Sequence, residues 1–114
     1  MRFAPIFFLF IGLSLLFAFV ANRLGLVPWA AWLMGINVAT LIAYGYDKSQ
    51  AAEGGGRIPE AALHLLAVVG GTPGAFFGQE IFNHKTKAVG FRAVFFVIAA
   101  VQVAAVVVWW KYFR

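Results

Sequence analysis

Gly70-Gly71-Thr72-Pro73-Gly74 stands in the middle of an otherwise apolar run over residues 61–82. Glycines, threonine and proline in that order are turn chemistry. A proline inside a helix also removes a backbone donor and clashes with the carbonyl one turn back. The flanking pieces, 61–69 and 75–82, are short. At 1.5 Å per residue, each reaches only about half of a hydrocarbon core some 30 Å thick. This run is expected to be broken at 70–74, and what the chain does after the break decides the fold.

Three further apolar runs surround it. The first covers 5–21, behind Arg2 and ahead of Asn22 and Arg23. It is long enough to span, and longer than the core of a usual signal peptide. A cut after Ala21 would also put Phe19 where a small residue is needed. The second run, 28–46, starts at Pro28, which suits a first helical turn. It carries Trp29 and Trp32 toward one end and Tyr44 and Tyr46 toward the other, the rings that membrane interfaces select. The last run, 93–110, has Gln102 as its one polar residue and closes on Trp109, Trp110, Lys111, Tyr112 and Arg114.

The composition agrees. Hydrophobic residues make up 63% of the 114-residue chain and charged residues 11%. A soluble domain carries roughly a quarter charged residues, so an aqueous globule is excluded, and so is intrinsic disorder. No cysteine is present, which excludes disulfides, thiolate metal sites and a cysteine nucleophile. The net charge of +5 comes from residues between and beyond the apolar runs. Basic residues so placed set topology and meet anionic headgroups. The expected fold is therefore an all-α integral membrane protein, a single membrane domain over 1–114. It has four apolar helical segments, about 5–21, 28–46, 60–82 and 93–110, the third broken at 70–74.

Charge counting bears on the break. If all four runs cross, basic residues divide five to four between the two sides, and the positive-inside rule gives no orientation. If the third run enters, turns and leaves on the same side, the division changes. Arg2, Lys48, Arg57, Lys85, Lys87 and Arg92 then face Arg23, Lys111 and Arg114, six against three. This count favours a re-entrant hairpin over a kinked spanning helix, with the N-terminus in the cytoplasm. Against it, Gly70, Gly74 and Gly78 recur every fourth residue, as in a continuous helix with a small-residue packing face.

Several groups are candidates for function. Asn37, Thr72 and Gln102 lie near the middle of their runs. Such residues serve a midplane site at a broken helix, or more commonly bond neighbouring helices together. Gly70, Gly71, Pro73, Gly74 and Gly78 are assigned to the break and to packing. Glu60 and His64 are four apart, as are Glu80 and His84, so each pair shares a helix face. Glu80 lies inside the third run and needs a partner, for which Lys85 or Arg92 would serve. Lys48, Arg57, Lys85 and Lys87 are candidates for an anionic headgroup or phosphate. His84, with Asp47 or Glu60, is the candidate acid–base group. No metal motif and no cofactor motif is recognised.

The order Tyr44-Gly45-Tyr46-Asp47-Lys48, Ala51 or Ala52, Arg57-Ile58-Pro59-Glu60, Leu63-His64-Leu65-Leu66, Gly70-Gly71-Thr72-Pro73-Gly74-Ala75, His84-Lys85-Thr86-Lys87 and Phe91 resembles a known family. It is the small bacterial membrane family catalogued as domain of unknown function 1294. The resemblance runs from about residue 44 to 91, with Glu80 where an apolar residue is expected. It implies a polytopic membrane protein and no particular activity. Some members of that family look like fusions to a cold-shock domain, which implies a cytoplasmic N-terminal side. This chain carries no such domain, so nucleic-acid binding is not expected.

The functional expectation is a small scaffold or accessory protein of the bacterial cytoplasmic membrane. It would bind anionic phospholipid headgroups, or a membrane partner, through a basic cytoplasmic face. A second copy of the chain is a further candidate partner. One alternative is an enzyme acting on a phosphate-bearing lipid through His84. Another is a small oligomeric transporter.

Overall fold

A computed structural model of the chain describes residues 3–53, 58–82 and 89–113. All regular structure in them is helical: α1 (Phe3–Arg23), α2 (Pro28–Glu53), α3 (Glu60–Leu66), α4 (Thr72–Ile81) and α5 (Val89–Phe113). A π-helical turn, Ala67–Gly71, joins α3 to α4. The third apolar run is thus one helix broken into three pieces, at the position that the glycines and proline mark.

Among the described residues, three stretches are long and apolar enough to cross a membrane: Ala4–Arg23, Glu60–Ile81 and Gly90–Phe113. The chain is a multi-span membrane protein. The expectation of four such segments is corrected to three, because α2 falls short. Its mid-section holds Asn37 and Thr40, its ends hold tryptophans and tyrosines, and its helix does not stop at Tyr46. It continues through Asp47-Lys48-Ser49-Gln50 to Glu53, past the end of the apolar run. The polar residues lower its apolar content but earn their place in packing: Thr40 and Asp47 are fully buried.

α2 is the central element. α1 folds back against it through the Gly25 turn, whose φ of 114° suits a residue without Cβ. Gly35 of α2 comes so close that a Cβ there would lie 2.5 Å from the Ser14 carbonyl oxygen of α1. Small residues let helix backbones approach in this way, which gives dispersion contacts that lipid cannot supply. Ser14 and Thr40 return their hydroxyls to the carbonyls of Phe10 and Ile36 one turn back, at 2.7 and 2.6 Å. Both are thereby satisfied within their own helices.

The path of the broken run follows from four long-range contacts with α2. The Ile58 N–H donates to Asp47 Oδ1 at 2.7 Å. The Trp32 indole donates to the Val69 carbonyl at 2.9 Å, and Asn37 Nδ2 to the Gly70 carbonyl at 3.1 Å. The Lys48 ammonium donates to the Phe82 carbonyl. On one straight helix residues 58 and 82 would stand about 36 Å apart, yet they bond to adjacent residues of α2. The first arm therefore runs antiparallel to α2, from Asp47 to the level of Trp32 and Asn37. The second runs parallel to α2, back to Lys48. Gly70 makes the reversal, with φ 123° and ψ −2°, a conformation that a Cβ would strain.

α5 runs alongside the hairpin. Its first half packs through Phe91 and Phe95, both buried. Its second half, from Val103 to Phe113, projects past the break and is exposed along its whole length. That surface is apolar, as lipid-facing helix requires.

Candidate functional site

Two polar constellations are built on this frame. The first surrounds the break. A helix that ends leaves its last four carbonyls without intrahelical partners. At the break lie the carbonyls of Ala67, Val68, Val69 and Gly70, and side chains reach all four. Gln102 Nε2 donates to Ala67 at 2.9 Å and to Val68 at 3.2 Å. The Thr72 hydroxyl lies 3.0 Å from the Ala67 carbonyl and also bonds to Gln102 Oε1. Trp32 serves Val69 and Asn37 serves Gly70, as above. Asn37 also accepts from the Gly74 N–H at 2.7 Å, so one amide bridges the end of the first arm and the start of the second.

The expected midplane residues Asn37, Thr72 and Gln102 thus converge on one place, from three different helices. Irregular backbone at membrane depth survives only where its polar groups are met inside the protein. Trp32 belongs to this set too, although its position near a helix end suggested an interfacial anchor. Its side chain is only partly exposed, and its single N–H is committed to the break. The glycines divide between two tasks. Gly70 makes the turn, while Gly74 and Gly78 lie against α2. A Cβ on Gly74 would meet the Asn37 backbone, and one on Gly78 would lie 2.8 Å from Tyr44 Cβ.

The second constellation lies where the arms return, beside Asp47 and Lys48. Asp47 is buried and fixes the start of the first arm through the Ile58 N–H. Glu60 follows in the first turn of α3, where a negative charge suits the helix dipole. His64, one turn on, stacks on Phe91 of α5, with centroids 4.3 Å apart and planes at 25°. Phe91 in turn meets the Tyr44 ring edge-on at 6.3 Å. Gln79 is fully buried and donates to the Tyr44 hydroxyl at 3.3 Å. Arg92 donates to Gln79 Oε1 at 3.0 Å, pairs with Glu80 at 3.2 Å, and lies 4.9 Å over the Phe96 ring. Glu80 has the Arg92 partner that its position in an apolar run requires.

Of the expected site residues, Asp47, Lys48 and Glu60 lie at this end of the fold. His84, Lys85, Lys87 and Arg57 lie outside the described residues. The Tyr44–Gln79–Arg92 chain was not among the residues the sequence singled out. A second polar residue inside the apolar run was the signal available. Among the described residues no group of three or more His, Asp or Glu side chains is placed to hold a metal ion.

Comparison with known proteins adds a family and no activity. Residues 37–91 match the family described as "Protein of unknown function (DUF1294)". The matched stretch holds Asn37, Asp47, both arms of the hairpin and Phe91, while α1 and Gln102 lie beyond it. The uncharacterized protein YsdA of Bacillus subtilis (strain 168) is 37% identical over 78 residues, which cover 66% of this chain and 88% of that protein. No solved structure matches. The hairpin that organises both constellations is thus shared sequence, and the chain belongs to the DUF1294 family of small bacterial membrane proteins.

Proposed function

We propose that the chain is a small membrane scaffold or accessory protein. In this reading its broken helix enters the bilayer to mid-depth and leaves on the same side. The basic cytoplasmic face at the Lys48 end binds anionic lipid headgroups or a membrane partner. The observation that carries the proposal is the return of both arms to Asp47 and Lys48 of α2. Depth supports it: from Lys48 to Asn37 is about 16 Å along α2 at 1.5 Å per residue, close to one hydrocarbon leaflet of roughly 15 Å. α2 crosses despite its lower apolar content, because Thr40 and Asp47 are buried and Asn37 bonds to the break. By chain order, re-entry gathers Arg2, Lys48, Arg57, Lys85, Lys87 and Arg92 on one side, against Arg23, Lys111 and Arg114. Positive-inside bias makes that side cytoplasmic.

The test uses the natural lack of cysteine. Single cysteines at Ser49, Thr86 and Phe113 are labelled in oriented membranes with an impermeant reagent. Labelling of Ser49 and Thr86 from the cytoplasm and of Phe113 from outside is expected. Labelling of Thr86 on the side opposite Ser49 overturns re-entry. For the lipid-binding part, the purified protein should gain thermal stability from phosphatidylglycerol over phosphatidylcholine. The gain should fade with added salt as headgroup contacts are screened.

A further inference from the structure

The geometry points to a bound phospholipid in the groove between α2 and α4, its acyl chain lying against Pro73 and its anionic headgroup held by Lys48. The inference rests on the proposed re-entry and assigns the lipid a site. The groove has a volume of about 640 Å³ and is lined by Leu33, Met34, Val38 and Leu41 of α2 and by Phe77 and Ile81 of α4. Most of these side chains are exposed in the fold, including Met34, Phe77 and Ile81. Asn37 also borders the groove, but its amide is committed to Leu33, Gly70 and Gly74. An apolar wall with its polar atoms already bonded suits a hydrocarbon chain rather than a polar ligand.

Charge supplies the other half. Residues 34, 38, 41, 45 and 48 recur at helical spacing along one face of α2. Lys48 therefore caps the same face that forms the groove, and its contact with the Phe82 carbonyl places it where α4 ends. Lys48 is exposed, and an ammonium carries three donors. The bond to Phe82 uses one and leaves others for a phosphate. Glu80, the nearest acidic residue on α4, is turned to Arg92 of α5. The leaflet-length distance from Lys48 to Asn37 lets one acyl chain fill the groove while the phosphate meets the ammonium. A lipid so held would cover the exposed Phe77 and Ile81 of α4, next to the irregular backbone at Gly70.

The full-length protein, released from mixed micelles holding equal dioleoyl phosphatidylglycerol and dioleoyl phosphatidylcholine, is examined by native mass spectrometry. Wild type is expected to retain one phosphatidylglycerol preferentially. Lys48→Ala should reduce that retention about fivefold, the effect of one basic residue at a membrane surface. It should leave phosphatidylcholine retention unchanged. Val38→Trp and Leu41→Trp each fill the groove and should abolish retention of both lipids. Two variants guard against one failing to fold, which circular dichroism checks. If both folded groove variants keep the lipid, the site is wrong, while a persisting preference for phosphatidylglycerol leaves the general lipid-binding reading intact. If Lys48→Ala changes nothing, the headgroup assignment is wrong. If wild type shows no preference, both readings fail.

Discussion

Replacing Asn37 by leucine keeps the side chain's size and removes every hydrogen bond it makes. Two of those bonds are long-range: the donation to the Gly70 carbonyl at 3.1 Å and the acceptance from the Gly74 N–H at 2.7 Å. Both partners are backbone groups at the break, at a depth where water does not replace the lost bond. An orphaned buried group costs about 1–3 kcal/mol, while interhelical bonds in membrane proteins average nearer 0.6 kcal/mol because the unfolded state finds partners too. Two orphans at the break, with no helical alternative at φ 123°, place the expected loss at about 2–4 kcal/mol. The third bond, to Leu33 one turn back, is local and adds little. The assay is reversible unfolding in mixed micelles titrated with dodecyl sulfate, followed by helical circular dichroism. Asn22→Leu is the control, since the Asn22 side-chain amide donates to the nearby Leu26 carbonyl in an exposed turn. It should cost under about 1 kcal/mol. An Asn37→Leu variant no less stable than Asn22→Leu would refute the assignment of Asn37 as the clasp of the hairpin.

Gly78→Ala should destabilise by about 1–3 kcal/mol, the cost of overpacking, because its Cβ would lie 2.8 Å from Tyr44 Cβ. Gly12→Ala meets nothing within 4 Å and should be neutral or stabilise by up to about 1 kcal/mol through helix propensity; the same unfolding titration ranks the pair. Gln79→Leu removes the link between Tyr44 and Arg92 from a fully buried position and should cost about 1–3 kcal/mol. Glu80→Gln should cost under about 1 kcal/mol, because that carboxylate is 49% exposed and its ion pair is solvent-screened. A larger loss at Glu80 than at Gln79 would reverse the order of importance inferred here.

Much of this fold was legible in the chain. The absence of charge over long runs identified the bilayer as solvent, because a buried charge there is costly whatever the fold. The break at 70–74 was legible because proline and glycine act on their own backbone, before any tertiary contact forms. The need of Glu80 for a basic partner followed from its place in an apolar run, and Arg92 supplies it. Other features were not legible. α2 runs seven residues beyond its apolar stretch, because Asp47 is used inside the fold to hold the Ile58 N–H. Trp32 resembled an interfacial ring until the Val69 carbonyl gave its N–H a partner thirty-seven residues away.

Sequence by itself marked a break in the helix at 70–74, since that depends on local steric freedom. It did not determine the direction taken afterwards: the same glycines serve a kinked spanning helix and a hairpin equally well. The tertiary contacts bear on that direction, because the two ends of the broken run bond to adjacent residues of α2. Irregular backbone at the break needs partners for its polar groups from other helices. Trp32 and Asn37 on α2 and Gln102 on α5 are those partners, brought together from distant parts of the chain. Asp47 and Lys48 then hold the two returning ends.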